Sequence, residues 1–347
     1  MIIGRFTSWQ DFRAAVYRRL YRTAYWQMGR WMWRVRRPHS IDLELTNACN
    51  MTCPHCPRSV KGGHEERSEG FMSERLFCKL IDEVARYRYC NLHMVGLGEP
   101  GLHPKLDTFM EYVKGKGPKV DLTTNGMVLQ RFPPEKICSW PLDAIGISID
   151  GVDGDSYHRF RPEGNYAQLC ELVSALYTYK KGSGLRKPVL IVRNVIMPGT
   201  ASEAIDKYRK HWLEVCDYVR FNTYEAPRGT RKLIPENELR QCNSELFFKA
   251  IVRWDGRVPL CGYQFLITKQ EYLGDLNKLS LEEIWSTSGR LEEVRTAHRL
   301  RHFDEVSFCK SCFYTQCSNP ASENRRRFSG GHSSAVNLAN RIADGFF

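Results

Sequence analysis

The sequence predicts an α/β protein: a partial (β/α)6 parallel barrel followed by a small C-terminal domain of β-hairpin and helix. Three observations carry this. Six short apolar runs alternate with helical patterns between residues 41 and 222, as parallel βα units require. Cys49, Glu99, Asn125 and Asp150 each fall just past a strand, where loops at the C-terminal ends of barrel strands build sites. Beyond about residue 236 the texture changes to a hairpin signal, a capped helix and a cysteine-rich run.

Taken in order, residues 8–37 predict an amphipathic helix. Tyr17, Leu20, Tyr21, Ala24, Met28, Trp31, Met32 and Val35 share one face, and arginines fill the other. Such a helix either packs on its own protein or lies in a membrane interface. IDLEL (41–45) is a strand leading into the first cysteines. A helix follows over 73–88, then the strand and turn NLHMVGLG, a helix from near Pro104, and the strand KVDLTT. A short helix at 134–139 precedes the strand AIGISID (144–150); a longer one at 165–181 precedes VLIVRNVIM. A helix at 201–213 and the strand YVRFN complete the barrel. FFKAIVRWDGRVPLC reads as a hairpin with a type I′ turn at Asp255-Gly256, its second strand left with a free edge by Pro259. Ser280 and Glu283 stand at capping-box spacing and start a helix through about 297. These signals divide the chain into a basic helix (1–39), a barrel core (40–235), a cysteine-bearing domain (236–320) and a polar tail (321–347).

Composition excludes several classes. The 347 residues are 42% hydrophobic, enough for a core, and no apolar run approaches a membrane span of roughly 20 residues. The N-terminal residues, lacking an apolar run with a small-residue cleavage site, do not read as a secretory signal. With 13 cysteines in tight C-x-x-C groups, metal ligation in a reducing cytoplasm is favoured over disulfides. The net charge is +12, but nine arginines and one acid (Asp11) precede residue 41, so that segment supplies +8 and the body is only mildly basic. Nucleic-acid binding is therefore not expected of the core.

TNACNMTCPHC (46–56) holds Cys49, Cys53 and Cys56. Three thiolates on one loop can hold three irons of a cubane cluster and leave the fourth open to bind substrate or cofactor. The alternative is half of a zinc site, completed by His55 or a distant cysteine.

CNMTCPHC resembles the C-x-x-x-C-x-x-C signature of radical S-adenosylmethionine (radical SAM) enzymes, and the resemblance covers residues 40–225. GLGEP (96–100), with Gly98, Glu99 and Pro100, resembles the motif that holds the methionine amino group. TTNG (123–126) and SID (148–150), with Asn125, Ser148 and Asp150, resemble strand ends that contact the cofactor. The resemblance implies that Cys49, Cys53 and Cys56 bind a [4Fe–4S] cluster whose open iron is chelated by S-adenosylmethionine. His55 takes a usually aromatic position near the adenine, and Ser148 and Arg193 become ribose or carboxylate contacts. A one-electron donor such as flavodoxin or ferredoxin is implied as a partner.

A second group comprises Cys242, Cys261, Cys309, Cys312 and Cys317. WDGRVPLCGYQF, LGDLNKLSLEEIW and CKSC resemble the SPASM or twitch extension of that superfamily, which implies one auxiliary [4Fe–4S] cluster. Five cysteines compete for four places: Cys242, Cys261, Cys309 and Cys312 match the single-cluster arrangement, with Cys317 as the alternative fourth ligand. A structural zinc is the competing reading. Cys78, Cys90, Cys138, Cys170 and Cys216 read as small buried hydrophobes.

The resemblance implies a 5′-deoxyadenosyl radical that abstracts hydrogen from an unactivated carbon, with the auxiliary cluster accepting an electron. Only 48 residues stand before the first cluster cysteine, Cys49. That is short for a leader-peptide-binding domain, which favours a two-electron oxidation of a small molecule such as a sugar or aminocyclitol. Maturation of a ribosomal peptide, modification of RNA or of a lipid at a membrane, and a zinc-holding nucleic-acid binder are the alternatives. No residue stands out as catalytic acid or base.

Overall fold

The computed structural model describes residues 2–4, 36–59, 68–87, 90–224, 242, 246–262, 271–302, 306–310 and 312. Most of the predicted basic helix, the tail over 321–347 and Cys317 lie outside the described residues.

The main sheet is built from β1 (Ile2–Gly4), β2 (Ser40–Leu43), β3 (Asn91–Met94), β4 (Lys119–Thr124), β5 (Ala144–Ser148), β6 (Val189–Ile196), β7 (Tyr218–Thr223) and β8 (Lys249–Val252). Its order is β1-β7-β6-β5-β4-β3-β2-β8. Strands β2 to β7 are the six expected from the sequence, each parallel to its neighbour. Strand β8 adds a seventh parallel strand beside β2, and β1 closes the other edge antiparallel to β7.

Helices cover the outer face of this partial barrel. They are α1 (Glu74–Val84), α2 (Leu106–Val113), α3 (Met127–Arg131), α4 (Pro134–Ser139), α5 (Gly154–Phe160), α6 (Tyr166–Gly182) and α7 (Ser202–Trp212). Ile41, Leu43, Leu92, Met94, Val120, Leu122, Ile145, Ile147, Leu190 and Val192 point to that side and are almost wholly buried against helix residues such as Leu80 and Phe109. Burying a leucine or isoleucine so fully is worth about 1.5–3 kcal/mol, which fixes strand register. Helix α5 escaped the sequence reading because it is short; Asp153 and Ser156 cap it reciprocally.

The C-terminal part differs in detail from expectation. Strand β8 leaves its hairpin partner to join the main sheet, while β9 (Arg257–Pro259) pairs with β10 (Tyr272–Asp275). Only Gly256 of the turn has positive φ, at 91°, so the turn is not type I′, which needs positive φ at both central positions. Instead Gly256 N–H donates to the Arg253 carbonyl and Arg253 N–H to that of Arg257, a three-residue loop ending in a left-handed glycine. The single helix expected through 297 is two, α8 (Leu281–Thr287) and α9 (Gly289–Leu300), broken at Ser288, which caps the second. The Ser280–Glu283 capping box forms as its spacing predicts. Buried Glu83 of α1 accepts hydrogen bonds from Leu281 N–H (2.9 Å) and Glu282 N–H (2.8 Å), docking α8 onto the barrel. A third C-terminal helix among the described residues, α10 (Ser307–Lys310), carries Cys309. Among the described residues no helix is long and apolar enough to cross a membrane.

Candidate active site

The loop after β2 carries the first three cysteines. Thr46 and Asn47 pin its start, accepting from Ala48 N–H (3.0 Å) and Gly70 N–H (2.8 Å). Consecutive turns then fold it, Cys56 N–H to Cys53 O and Ser59 N–H to Cys56 O, both 2.9 Å. Burial pushes all three thiols above their ordinary value, Cys53 to about 11. Without metal they are therefore protonated at neutral pH, and metal binding must release those protons.

The GLGEP turn is pressed onto this loop. A Cβ on Gly98 would stand 2.2 Å from the Thr46 carbonyl oxygen, so only glycine permits the approach. Glu99 N–H donates to the Ala48 carbonyl at 2.8 Å. The Glu99 carboxylate, 3% exposed, accepts from Thr124 Oγ1 (2.6 Å), Asn125 N–H (2.7 Å) and Gly101 N–H (2.9 Å). Burial pushes its carboxyl up against those donors. Glu99 thus ties the end of β3 to the end of β4, with buried Pro100 opening a short helical turn behind it. Asn125 continues the chain of contacts, donating to Asn50 Oδ1 (2.8 Å) and lying 3.9 Å from Cys49 Sγ.

Asp150, at the end of β5, is 1% exposed and fully engaged. Its carboxylate accepts from Arg161 Nε (2.8 Å), Arg161 Nη2 (2.6 Å) and Val195 N–H (2.8 Å), and meets His55 Nε2 at 3.1 Å. Burial would push the carboxyl up; the Arg161 guanidinium first, then His55 and the Val195 N–H, outweigh it and hold it down at about 2. In a neutral His55 ring this contact keeps the proton on Nε2 and leaves Nδ1 an acceptor, buried and without a hydrogen-bond partner among the described residues. Arg161 also reaches Met51 Sδ on the cysteine loop at 3.8 Å. The sequence reading missed Arg161, because a lone arginine ordinarily reads as surface.

Ser148 and Arg193 are register partners on β5 and β6, and Arg220 of β7 is next in line. Arg193 lies across Gly146: a Cβ there would meet its Nε at 2.5 Å. Burial, then nearby Arg220, pushes the guanidinium down to about 10. The same face carries Asp42, His93 and Asp121 side by side on β2, β3 and β4. His93 Nδ1 is 3.0 Å from Asp121 Oδ2, and Lys249 Nζ of β8 is 3.1 Å from Asp42 Oδ2. These four side chains are 16–27% exposed, whereas the opposite, helix-covered face is sealed. The concave side of the sheet is thus a polar, charged lumen beneath the cysteine loop. Its sequence signal is the alternation in KVDLTT and IDLEL, unusual where a parallel sheet is covered on both faces.

In the C-terminal part, Cys309 is buried, while Cys242, Cys261 and Cys312 are half-buried. Cys242 and Cys309, 67 positions apart by number, both touch His298.

Three thiols on one loop, a glycine contact that admits no Cβ and an unused buried nitrogen on His55 suit a [4Fe–4S] cluster with an exchangeable iron and a bound nucleoside. Among the described residues no three His, Cys, Asp or Glu side chains gather around a single-ion position. A cubane needs a different arrangement, with each thiolate on its own iron. The radical SAM superfamily model matches residues 43–210, and the SPASM iron–sulfur cluster-binding domain model matches 242–313.

The chain belongs to the radical SAM superfamily. Its domains imply a [4Fe–4S] cluster with S-adenosylmethionine in the barrel and auxiliary iron–sulfur binding in the C-terminal part. A tungsten-containing aldehyde ferredoxin oxidoreductase cofactor-modifying protein of Pyrococcus furiosus is 25% identical, over 71% of this chain and 80% of its own. The subtilosin biosynthesis protein AlbA of Bacillus subtilis is 30% identical over 40% of this chain, a match spanning only 30% of AlbA. Among solved structures, anSMEcpe with bound AdoMet covers 89% of this chain and 98% of its own at TM-score 0.61 and 14% identity. BtrN with AdoMet and 2-DOIA covers 81% and 97% at TM-score 0.52 and 17% identity. At such identities these two structures speak for the fold: the partial barrel of the radical SAM enzymes.

Proposed function

We propose that this enzyme removes two electrons from a small polar molecule of the sugar or aminocyclitol class held in the barrel lumen. The polar lumen carries the reading. Asp42, His93, Asp121, Arg193 and Lys249 line it with charged groups, partly exposed and paired among themselves, whose remaining acceptor and donor positions suit hydroxyl and amino groups better than apolar surface. Bound S-adenosylmethionine supplies a 5′-deoxyadenosyl radical able to abstract hydrogen from an unactivated carbon.

The chain's own residues divide the work as follows. Cys49, Cys53 and Cys56 of the 40–235 core hold the first cluster, and the GLGEP turn with Gly98 and Pro100 cradles the methionine end. Glu99 and Asn125 hold that turn and the cluster loop together. His55 would face the adenine, offering its Nδ1 as an acceptor, with Asp150 and Arg161 holding its ring. Ser148 and Arg193 lie where the methionine carboxylate or ribose would be held. Cys242, Cys261, Cys309 and Cys312 of the 236–320 region hold one auxiliary cluster, the electron acceptor for an oxidation. Cys317 stands in reserve as an alternative ligand. A flavodoxin or ferredoxin supplies the first electron.

One observation favours a second reading, peptide maturation: the similarity to AlbA, named for subtilosin biosynthesis. Reconstituted enzyme should form 5′-deoxyadenosine together with a product two mass units lighter when given aminocyclitols or sugars. Turnover with a peptide alone would replace this reading by the second. The basic N-terminal segment is assigned to peripheral membrane contact only if its removal abolishes sedimentation with liposomes.

A further inference from the structure

His298 is delivered by the last turn of α9 and is wholly buried. Its Nδ1 lies 3.1 Å from the backbone nitrogen of Cys242, which can only donate. Nδ1 must then accept, and in the neutral ring the proton sits on Nε2. That nitrogen is 3.2 Å from Cys309 Sγ. The tautomer set by one cysteine's main chain thus points an N–H at the sulfur of another. No charge on the imidazole is required for this arrangement.

We infer that His298 is a positioning residue of the auxiliary cluster: it locks the Cys242 and Cys309 segments together and donates a hydrogen bond to the Cys309 thiolate. The inference rests on the reading of Cys242 and Cys309 as ligands to one cluster. An N–H···S bond withdraws electron density from a ligand sulfur and favours the reduced, more negative cluster. His298 therefore makes the auxiliary cluster a better electron acceptor. Its place on a rigid helix, instead of on a loop, keeps that effect constant through turnover.

The test uses the full chain carrying C49A, C53A and C56A, so that only the auxiliary cluster remains, reconstituted and titrated potentiometrically with detection by electron paramagnetic resonance. His298→Leu removes the donor; His298→Gln restores an N–H. The leucine variant should accept an electron about tenfold less readily, a midpoint about 59 mV more negative for one electron. The glutamine variant should recover part of that shift. Equal potentials in parent and leucine variant, at equal iron and sulfide, would overturn the inference. Should the leucine variant not retain its cluster, the parent still decides. Pulsed resonance on the reduced cluster in deuterium oxide must show a coupled exchangeable proton that His298→Gln alters, and its absence would overturn the inference. Zinc in place of iron in the parent would instead remove the auxiliary-cluster reading on which it rests.

Discussion

Removing both members of the Asp150–Arg161 pair should cost clearly less than the two single removals added together. Asp150 is 1% exposed and Arg161 8%, so neither charge can be rescued by water. Asp150→Asn leaves the guanidinium buried opposite a neutral amide, and Arg161→Met leaves a buried carboxylate with only His55 and the Val195 N–H. Stranding a buried charge costs about 3–5 kcal/mol. The aspartate's own proton linkage gives an independent scale. A carboxyl lowered from 3.8 to about 2 is worth about 2 kcal/mol of native-state stability at neutral pH. Asparagine keeps one acceptor oxygen, so a loss of about 3 kcal/mol is expected for Asp150→Asn. The double variant Asp150→Asn/Arg161→Met should fall short of the sum of its parents by about 2 kcal/mol, because neither charge is left alone. Urea unfolding of the metal-free chain, followed by tryptophan fluorescence at pH 7, measures all four corners of the cycle. Additive losses, or a loss below about 1 kcal/mol for Asp150→Asn, would refute a coupled pair holding His55 and the strand end.

Other outcomes follow from the same contacts. Gly98→Ala should abolish iron incorporation at the first site while leaving the chain folded, since its Cβ would meet the Thr46 carbonyl oxygen at 2.2 Å; iron per chain and circular dichroism check this. Cys53→Ala should remove about four irons and leave the auxiliary four, read by iron and sulfide assay. The Asp150 contribution should be fully present above about pH 4 and disappear as pH falls through about 2, because the lowered group must take up a proton to unfold; acid titration of parent against Asp150→Asn should show the two curves converging there. His93→Gln alters the lumen outside the cofactor cradle, so S-adenosylmethionine affinity should stay within about twofold of the parent; a loss of ten times or more by calorimetry would move His93 into the cofactor site.

Much of this was legible from residue patterns, and the failures have physical causes. The six barrel strands announced themselves through apolar runs, since each must bury one face against helices. The cysteine loop stood out because thiols at such spacing have few other uses, and GLGEP through its resemblance to the family's motif. Strand β8 could not be placed, because KAIV carries no mark distinguishing a hairpin partner from a barrel edge. Arg161 and His298 were invisible for a related reason: their meaning comes from partners 11 and 56 positions away, which only the fold brings together. Asp150 was expected to meet the cofactor, whereas its carboxylate is occupied by protein donors; a motif identifies a residue more readily than its partners. The lumen was written in the polar alternation of β2 and β4, a pattern that acquires meaning once the sheet is seen to curve.

The central claim is that one chain carries a radical-generating cluster and one auxiliary cluster. The most direct test is iron, acid-labile sulfide and zinc per chain on protein purified and reconstituted without oxygen. The same sample is then reduced with S-adenosylmethionine and assayed for 5′-deoxyadenosine. Two cubanes predict about eight irons with matching sulfide, no zinc, and 5′-deoxyadenosine formed only when Cys49, Cys53 and Cys56 are intact. Zinc bound with no iron taken up, or eight irons with no cleavage of S-adenosylmethionine under reduction, would contradict it.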